Sequence, residues 1–454
     1  MGNLAEISHF CLLSMLTMIP SSERYWLKNA HIPVSLLENE SFSPQTSEGL
    51  TLVNLEINDG NINRITSTIP PEDNIPVIDL KKKIIFPCFI DMHTHLDKGH
   101  SWQRCPNHDG TFDSALKMVL EDSRREWRLE DVYRRMEFGV KCSYAHGTAA
   151  IRTHIDSFGQ QAQISLTALG ELQRQWAGKI TLQAVSLVSL DYYQTAEGAA
   201  LADKIAEFGG ILGGVAYTNP DLQAQIDITF KLAQERGLNL DFHLDENGDP
   251  NSTCLAAIAR TAIKEQFSGQ IICGHCCSLA VQSPEIIQET LNLVKNAGIA
   301  IVSLPMCNLY LQDRQEEKTP FWRGTTKIKE MKKAGIPVAF ASDNCRDPFY
   351  GFGDHDGLEV FTQAVRIAHL DTPYADWVNS VTLTPANLLG LPHLGRIKTG
   401  LEANLLIFKA RYFSELLSRP QWDRLVIRRG LSIDTTLPDY QELDDLVLGI
   451  EQLL

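Results

Sequence analysis

The chain lacks any apolar run approaching the ~20 residues that a membrane-spanning helix needs. The nearest is HFCLLSMLTMIP at 9–20, which follows Glu6 and has no Lys or Arg ahead of it. A secretory leader needs a basic start, so residues 1–24 are expected to be a poorly ordered N-terminal extension, with Met18 as an alternative start. Positive charge is also short. Lys and Arg total 41 against 56 Asp and Glu, a formal net charge of −15, which repels phosphate backbones and anionic lipid and argues against nucleic-acid and membrane partners. Cysteine is present but sparse, ten residues scattered through apolar runs. The dense framework of a disulfide-built secreted domain is absent, and reduced thiols in a cytoplasmic protein are expected. There is no internal repeat and no low-complexity linker, so nothing marks off independent domains.

What is there is an ordinary globular composition, 44% hydrophobic and 21% charged over 454 residues. That is enough for several domains or for one large barrel with appendages. Short β-type runs at 50–57, 61–69 and 74–80, with Asp59-Gly60 as a turn, predict a small antiparallel sheet. From residue 84 the rhythm changes to repeated β-α units. Eight strands are predicted, at 84–93, 148–155, 180–188, 211–217, 238–244, 270–275, 299–305 and 336–343. Helices are predicted at 116–145, 195–208, 222–236, 254–266, 284–296 and 325–334, with 357–369 after the last strand. Eight strands suggest a closed barrel. Beyond Pro385, β-type runs at 403–410 and 424–430 predict a return to the N-terminal sheet.

Ionisable residues collect at the carboxyl ends of these strands: His93 and His95, His154 and Asp156, His243 and Glu246, His275, and Asp343. In a barrel of this kind those ends form the active face. In an extended segment residues i and i+2 point the same way, so His93 and His95 project together and can grip one metal. His243 and Asp343 add a nitrogen and an oxygen ligand, giving three histidines and a carboxylate with a position left for water. A divalent ion lowers the pKa of its water toward ~7. Glu246, three residues past His243, is placed to shuttle a proton, and His275 to stabilise the developing tetrahedral centre. Asp97 and Lys98 are expected to pair in their loop, and Trp102, Phe158 and Phe349 to offer flat faces to a ring.

The strings PCFIDMHTHLDKG (87–99), DFHLDE (241–246), CGHCCSLA (273–280) and SDNCRDPFYGFG (342–353), in this order, resemble the amidohydrolase superfamily and specifically its cytosine deaminase branch. The resemblance runs from about residue 25 to 430. It implies a distorted (β/α)8 TIM barrel over 84–384 and a discontinuous β-sandwich built from 25–83 and 385–454. By the same likeness, one Zn2+ or Fe2+ ion is held by His93, His95, His243 and Asp343. Glu246 is the proton shuttle, His275 orients the nucleophilic water, and Asp343 takes a proton from it. The bridging lysine of two-metal relatives is missing, since ILGGVAYTNP carries Tyr217 and Thr218 there. A homo-oligomer is left open.

The reaction so implied is hydrolytic release of ammonia from a small cyclic amidine such as cytosine or a related pyrimidine. Loss of a substituted amine from a triazine-like ring, or opening of a cyclic amide, are the alternatives. His154 and Asp156 fall near the pocket in this pattern, either touching the substrate or orienting a metal ligand. Three departures bear on the substrate. Leu187-Val188-Ser189 replaces a Phe-Pro-Gln run whose Gln reads the pyrimidine edge, Asn344 replaces an Asp, and Phe349 replaces a Trp. A serine hydroxyl cannot make the paired contact of an amide. Two other classes compete. Cys273-Gly274-His275-Cys276 spells a CxxC of thiol-disulfide oxidoreductases, but Ile271-Ile272 precede it where a Trp and a helix start are needed. Cys276-Cys277 are expected to pack beneath the site. A non-catalytic binding protein is disfavoured by the complete set of ligands and acid.

Overall fold

The computed structural model describes residues 22–38, 41–69, 74–371 and 374–447. The apolar run at 9–20 and most of the proposed extension lie outside them. Among the described residues no helix is long and apolar enough to cross a membrane. The chain forms two compact units. One takes the described residues up to Ile90, Ser143–Ala149 and Gly357–Leu437; the other takes Asp91–Cys142, Ala150–Asp356 and the described residues from Pro438 onward.

The first unit carries two four-stranded sheets. In one, β1 (Arg24–Pro33), β2 (Leu50–Asn58), β3 (Asn61–Thr66) and β4 (Val77–Asp79) run in the order β3-β2-β1-β4. The β2–β3 hairpin turns at Asp59 and Gly60, both with positive φ (49° and 75°), as a two-residue primed turn demands. The sheet is not wholly antiparallel, because β4 pairs with β1 in parallel. The other sheet joins β5 (Ile85–Pro87) to the C-terminal strands β14 (Leu405–Ile407), β15 (Leu425–Arg428) and β16 (Leu431–Ser432), in the order β16-β15-β14-β5. Leu405 of β14 lies opposite Pro87, and Ile407 opposite Ile85. The C-terminal β-type text therefore does return to N-terminal strands, but mainly to β5 and within a second sheet.

The β-α succession has its eight strands, but the first, expected at 84–93, divides at Cys88: β5 joins the sheet just described and only β6 (Phe89–Thr94) joins β7 (Thr148–Asp156), β8 (Thr181–Leu187), β9 (Leu212–Ala216), β10 (Leu240–Leu244), β11 (Ile271–His275), β12 (Ala300–Ser303) and β13 (Val338–Phe340). Strands β9 to β13 form one parallel sheet in chain order, and β6, β7 and β8 form another. Backbone bonds also link β8 to the start of β9 (Ile211 N–H to Ala184 O, 2.9 Å) and the end of β6 to the segment after β13 (Asp343 N–H to His93 O, 2.9 Å). Each strand alternates two sets of side chains. On β10, Leu240, Phe242 and Leu244 form one set, and Phe242 lies 6.4 Å from Phe230 of the helix Leu222–Arg236. Asp241 and His243 face the other way, which is how a fully buried strand comes to hold two ionisable groups.

One predicted helix divides. The span 116–145 is Phe112–Arg125 followed by Leu129–Ala145. Trp127 sits in the break, buried, with its indole N–H donating to Asp122 Oδ2 at 2.8 Å. A helix Gln160–Gln175 fills the β7–β8 connection, and a short one, Pro305–Leu311, follows β12.

Candidate active site

The chemistry-bearing side chains come to the carboxyl ends of the strands, as their sequence positions imply. His93 is on β6 with His95 just past it, and His243 is on β10; Asp343 follows β13. Nε2 of His243 lies 3.0 Å from Nε2 of His93 and 3.2 Å from Nε2 of His95. Oδ1 of Asp343 lies 3.3 Å from His95 Nε2 and 3.6 Å from His93 Nε2. Space for this convergence depends on Gly274. A Cβ there would stand 2.9 Å from Cε1 of His93. Asp343 and His275 both take left-handed backbone, φ 63° and 67°. For non-glycine residues such a conformation costs about 1–3 kcal/mol and persists where surrounding structure enforces it.

The donor set fits a divalent cation. Burial, reinforced by neighbouring cationic and imidazole groups, holds His93, His95 and His243 well below the usual imidazole pKa, so the rings are neutral and keep a lone pair. Both carboxylate oxygens of Asp343 are buried without a hydrogen-bond donor, a costly state for a charge with no counterion. Burial pushes the Asp343 carboxyl up. Three nitrogen donors and one oxygen donor suit zinc or ferrous iron.

A second layer of contacts serves Glu246 and His275. Glu246 Oε1 lies 3.1 Å from His275 Nδ1, and Asn308 Nδ2 donates to that oxygen at 3.1 Å while standing 3.0 Å from the same ring nitrogen. Gln312 Nε2 donates to the Glu246 carbonyl at 3.1 Å. Burial pulls the His275 pKa down, but the Glu246 and Asp343 carboxylates outweigh it and hold the ring above its usual value. A ring nitrogen of His275 also falls within 4.8 Å of the donors of His93, His243 and Asp343.

These groups open on a cavity of about 880 Å³. Of the residues singled out for substrate contact, Asp156, Ser189, Asn344 and Phe349 line it. His154 does not. Its ring is fully buried, with its centroid 3.9 Å from that of His93. Lys98 pairs with Asp156 at 2.8 Å instead of Asp97, and its ammonium stands 5.4 Å from the centre of the Phe349 ring. Asn344 donates to Asp347 at 2.7 Å. Phe158 lines the cavity, whereas Trp102 packs against Gly351.

Two groups escaped sequence reasoning. Asn308 is one; the signal for it was Pro305 opening a helix at the end of β12, which brings the next turn over the site. The other is the buried pair Arg152–Asp241 at 3.0 Å, lying on the same strands as His154 and His243. The CxxC cysteines are free and buried, and burial pushes the thiols of Cys273 and Cys276 well above their usual value. Neither offers the thiolate that disulfide exchange requires.

Parallel strands that gather a metal-capable His/Asp cluster at their carboxyl ends define a class, the α/β scaffold with a candidate metal site at the strand ends. The amidohydrolase family matches residues 197–430. The pterin deaminase of Rhizobium rhizogenes is 46% identical over 431 residues, covering 94% of this chain and 98% of that one. The chain belongs to the amidohydrolase family. It is also similar to N-isopropylammelide isopropyl amidohydrolase of Pseudomonas sp. strain ADP, at 25% identity over 76% of this chain and 83% of that one. Among solved structures, 5-methylcytosine deaminase from Klebsiella pneumoniae, liganded with 5-fluorocytosine, superposes with a TM-score of 0.77 at 26% identity, covering 91% of this chain and 98% of that chain.

Proposed function

We propose that this chain is a metal-dependent hydrolytic deaminase of small N-heterocycles, and that its substrate is a fused pterin-type ring rather than cytosine. The observation that carries the reaction is the convergence of Glu246 and His275 on a three-histidine, one-aspartate cluster at the wall of a single cavity. Likeness to a pterin deaminase across almost the whole of both chains supports the ring. So does Ser189, a short hydroxyl at the position where an amide would read a pyrimidine edge, beside a cavity roomy enough for two rings. A pyrimidine is the second reading, favoured by the 5-methylcytosine deaminase structure. For the scaffold, we read β6 to β13 as a closed (β/α)8 barrel within 84–384, and the two sheets of the first unit as a β-sandwich built from 25–83 and the stretch after 385 with β5 (Ile85–Pro87) added to it. The bonds linking β8 to β9 and β6 to the segment after β13 support that closure.

His93, His95, His243 and Asp343 would hold one divalent ion, Zn2+ or Fe2+, and that ion would supply the Lewis acidity that lowers the pKa of water toward neutrality. Glu246 takes one proton of the attacking water and delivers it to the ring nitrogen beside the amino-bearing carbon. His275, 3.1 Å from Glu246, is placed to oppose negative charge on the incoming oxygen. Asp343 accepts the remaining water proton and passes it to the amino group. The C–N bond breaks, ammonia leaves, and the carbon keeps the oxygen as a carbonyl.

Release of ammonia from pterin, cytosine and 5-methylcytosine, and of isopropylamine from N-isopropylammelide, compared by kcat/KM, tests the reading. Pterin is expected to lead by at least about tenfold, or roughly 1.4 kcal/mol of transition-state preference. A lead for cytosine would replace the pterin assignment with the pyrimidine one, and release from none of these rings would remove the deaminase reading.

A further inference from the structure

A second group of ligand-type side chains lies apart from the cluster described above. His100, Cys345 and His355 are buried, at 2%, 1% and 2% exposure, and one donor atom of each lies within 4.8 Å of the other two. We propose that His100, Cys345 and His355 form a second, structural metal site that takes Zn2+.

The loops that bring them together are held by backbone bonds. His100 N–H donates to Cys345 O at 3.1 Å and Trp102 N–H to Arg346 O at 2.8 Å, so the loop after β6 is laid along the segment that follows Asp343. Arg346 N–H then donates to Phe352 O at 3.0 Å, which turns the chain back toward His355. The helix Leu129–Ala145 leaves room there, since a Cβ at Gly139 would stand 3.0 Å from His355 Nε2. Neither ring nitrogen of His100 has a hydrogen-bond partner. A neutral imidazole carries one donor and one acceptor, and coordination gives the acceptor nitrogen a partner where protein offers none. Two imidazoles and a thiolate are zinc ligands, softer than the oxygen-containing set around Asp343.

Charge is consistent with this assignment. Burial, then His355, Arg346 and Arg135, hold His100 well below the usual imidazole pKa, which keeps its lone pair available. Arg135 is already engaged by Asp131 at 2.6 Å. Binding breaks the Cys345 S–H bond, forms a metal–sulfur bond and releases the proton to solvent. Cys345 lies two residues beyond Asp343 and His100 five beyond His95, so the ion ties together the loops that carry those residues.

Cobalt distinguishes this site from the first, because thiolate-to-cobalt charge transfer gives an intense near-ultraviolet band that imidazole and carboxylate ligands do not. The full-length protein, stripped of metal and reloaded with Co2+, is expected to hold two ions per chain and to show that band. Cys345→Ser is expected to lose the band and one ion while keeping the other. Wild-type protein that takes up one ion and shows no band overturns the proposal, and this measurement needs no variant. A band that persists in Cys345→Ser also overturns it, by placing the thiolate elsewhere. Should Cys345→Ser fail to fold, His355→Gln serves in its place: loss of one ion supports the site and retention of both overturns it.

Discussion

Glu246 touches both His275 and Asn308 yet ligates nothing in the three-histidine cluster, so its chemistry separates from metal binding. Glu246→Gln is expected to leave metal content unchanged and to lower kcat by about 10²–10⁴, the usual worth of a positioned proton shuttle. Metal analysis and steady-state turnover on the same preparation check this, and unchanged turnover would take Glu246 out of the mechanism. At this scale the sequence was informative wherever a candidate site residue ended a strand. His93 and His95 announced themselves by i, i+2 spacing, and His243 and Asp343 by their places after β-type runs. Asn308 did not, because an asparagine inside a short apolar helix looks like any other until the fold turns it onto Glu246 and His275. For His154 the sequence left two places open, and the structure sets its ring against His93 and off the cavity wall, the arrangement of a residue that orients a ligand.

Strand pairing gives the next prediction. Glu56 on β2 is fully buried and accepts from Arg24 of β1 at 2.6 Å, and from Asn63 and Arg64 of β3 at 2.7 and 2.6 Å. Burial alone would raise its pKa, but these three donors outweigh burial and lower it. A carboxylate whose folded pKa is depressed contributes stability above its unfolded pKa and loses it as pH falls through the folded value. Glu56→Gln is therefore expected to cost about 2 kcal/mol at neutral pH, allowing for the partly exposed arginines. The gap to wild type should close below about pH 4, the ordinary range of a free glutamate. Denaturant melts of both proteins across that interval measure it, and a gap constant with pH would show that the ion pairs contribute nothing. Elements as a whole were legible where local rules are strong. The eight β-α strands show as Val-, Ile- and Leu-rich runs, and Asp59-Gly60 specifies its own turn. The break at Trp127 carries no Gly or Pro; it coincides with the buried indole's hydrogen bond back to Asp122, which no punctuating residue announces. The parallel partnership of β4 with β1 rests on three residues, too few for a pattern to declare direction.

For the whole molecule, the buried His/Asp cluster means that metal and fold are linked, since an ion that binds only the folded chain adds RT ln(1 + [L]/Kd) to its stability. Chelation by dipicolinate is expected to lower the thermal midpoint by several degrees and to abolish turnover, with Zn2+ or Fe2+ restoring both. A midpoint indifferent to the chelator would argue against a tightly held ion. The net charge of −15 leaves a neutral heterocycle as an acceptable ligand without selecting one. The assembly of the first unit from three stretches of chain has a further consequence, for synthesis. Strand β5 ends at Pro87 but meets its sheet partner only when Leu405–Ile407 has been made. On the ribosome, β5 must therefore wait while nearly the whole β-α succession emerges, so its sheet can form only near the end of translation. A nascent chain stalled before residue 405 exposes an apolar strand edge, the kind of surface that chaperones capture and that aggregates when they do not.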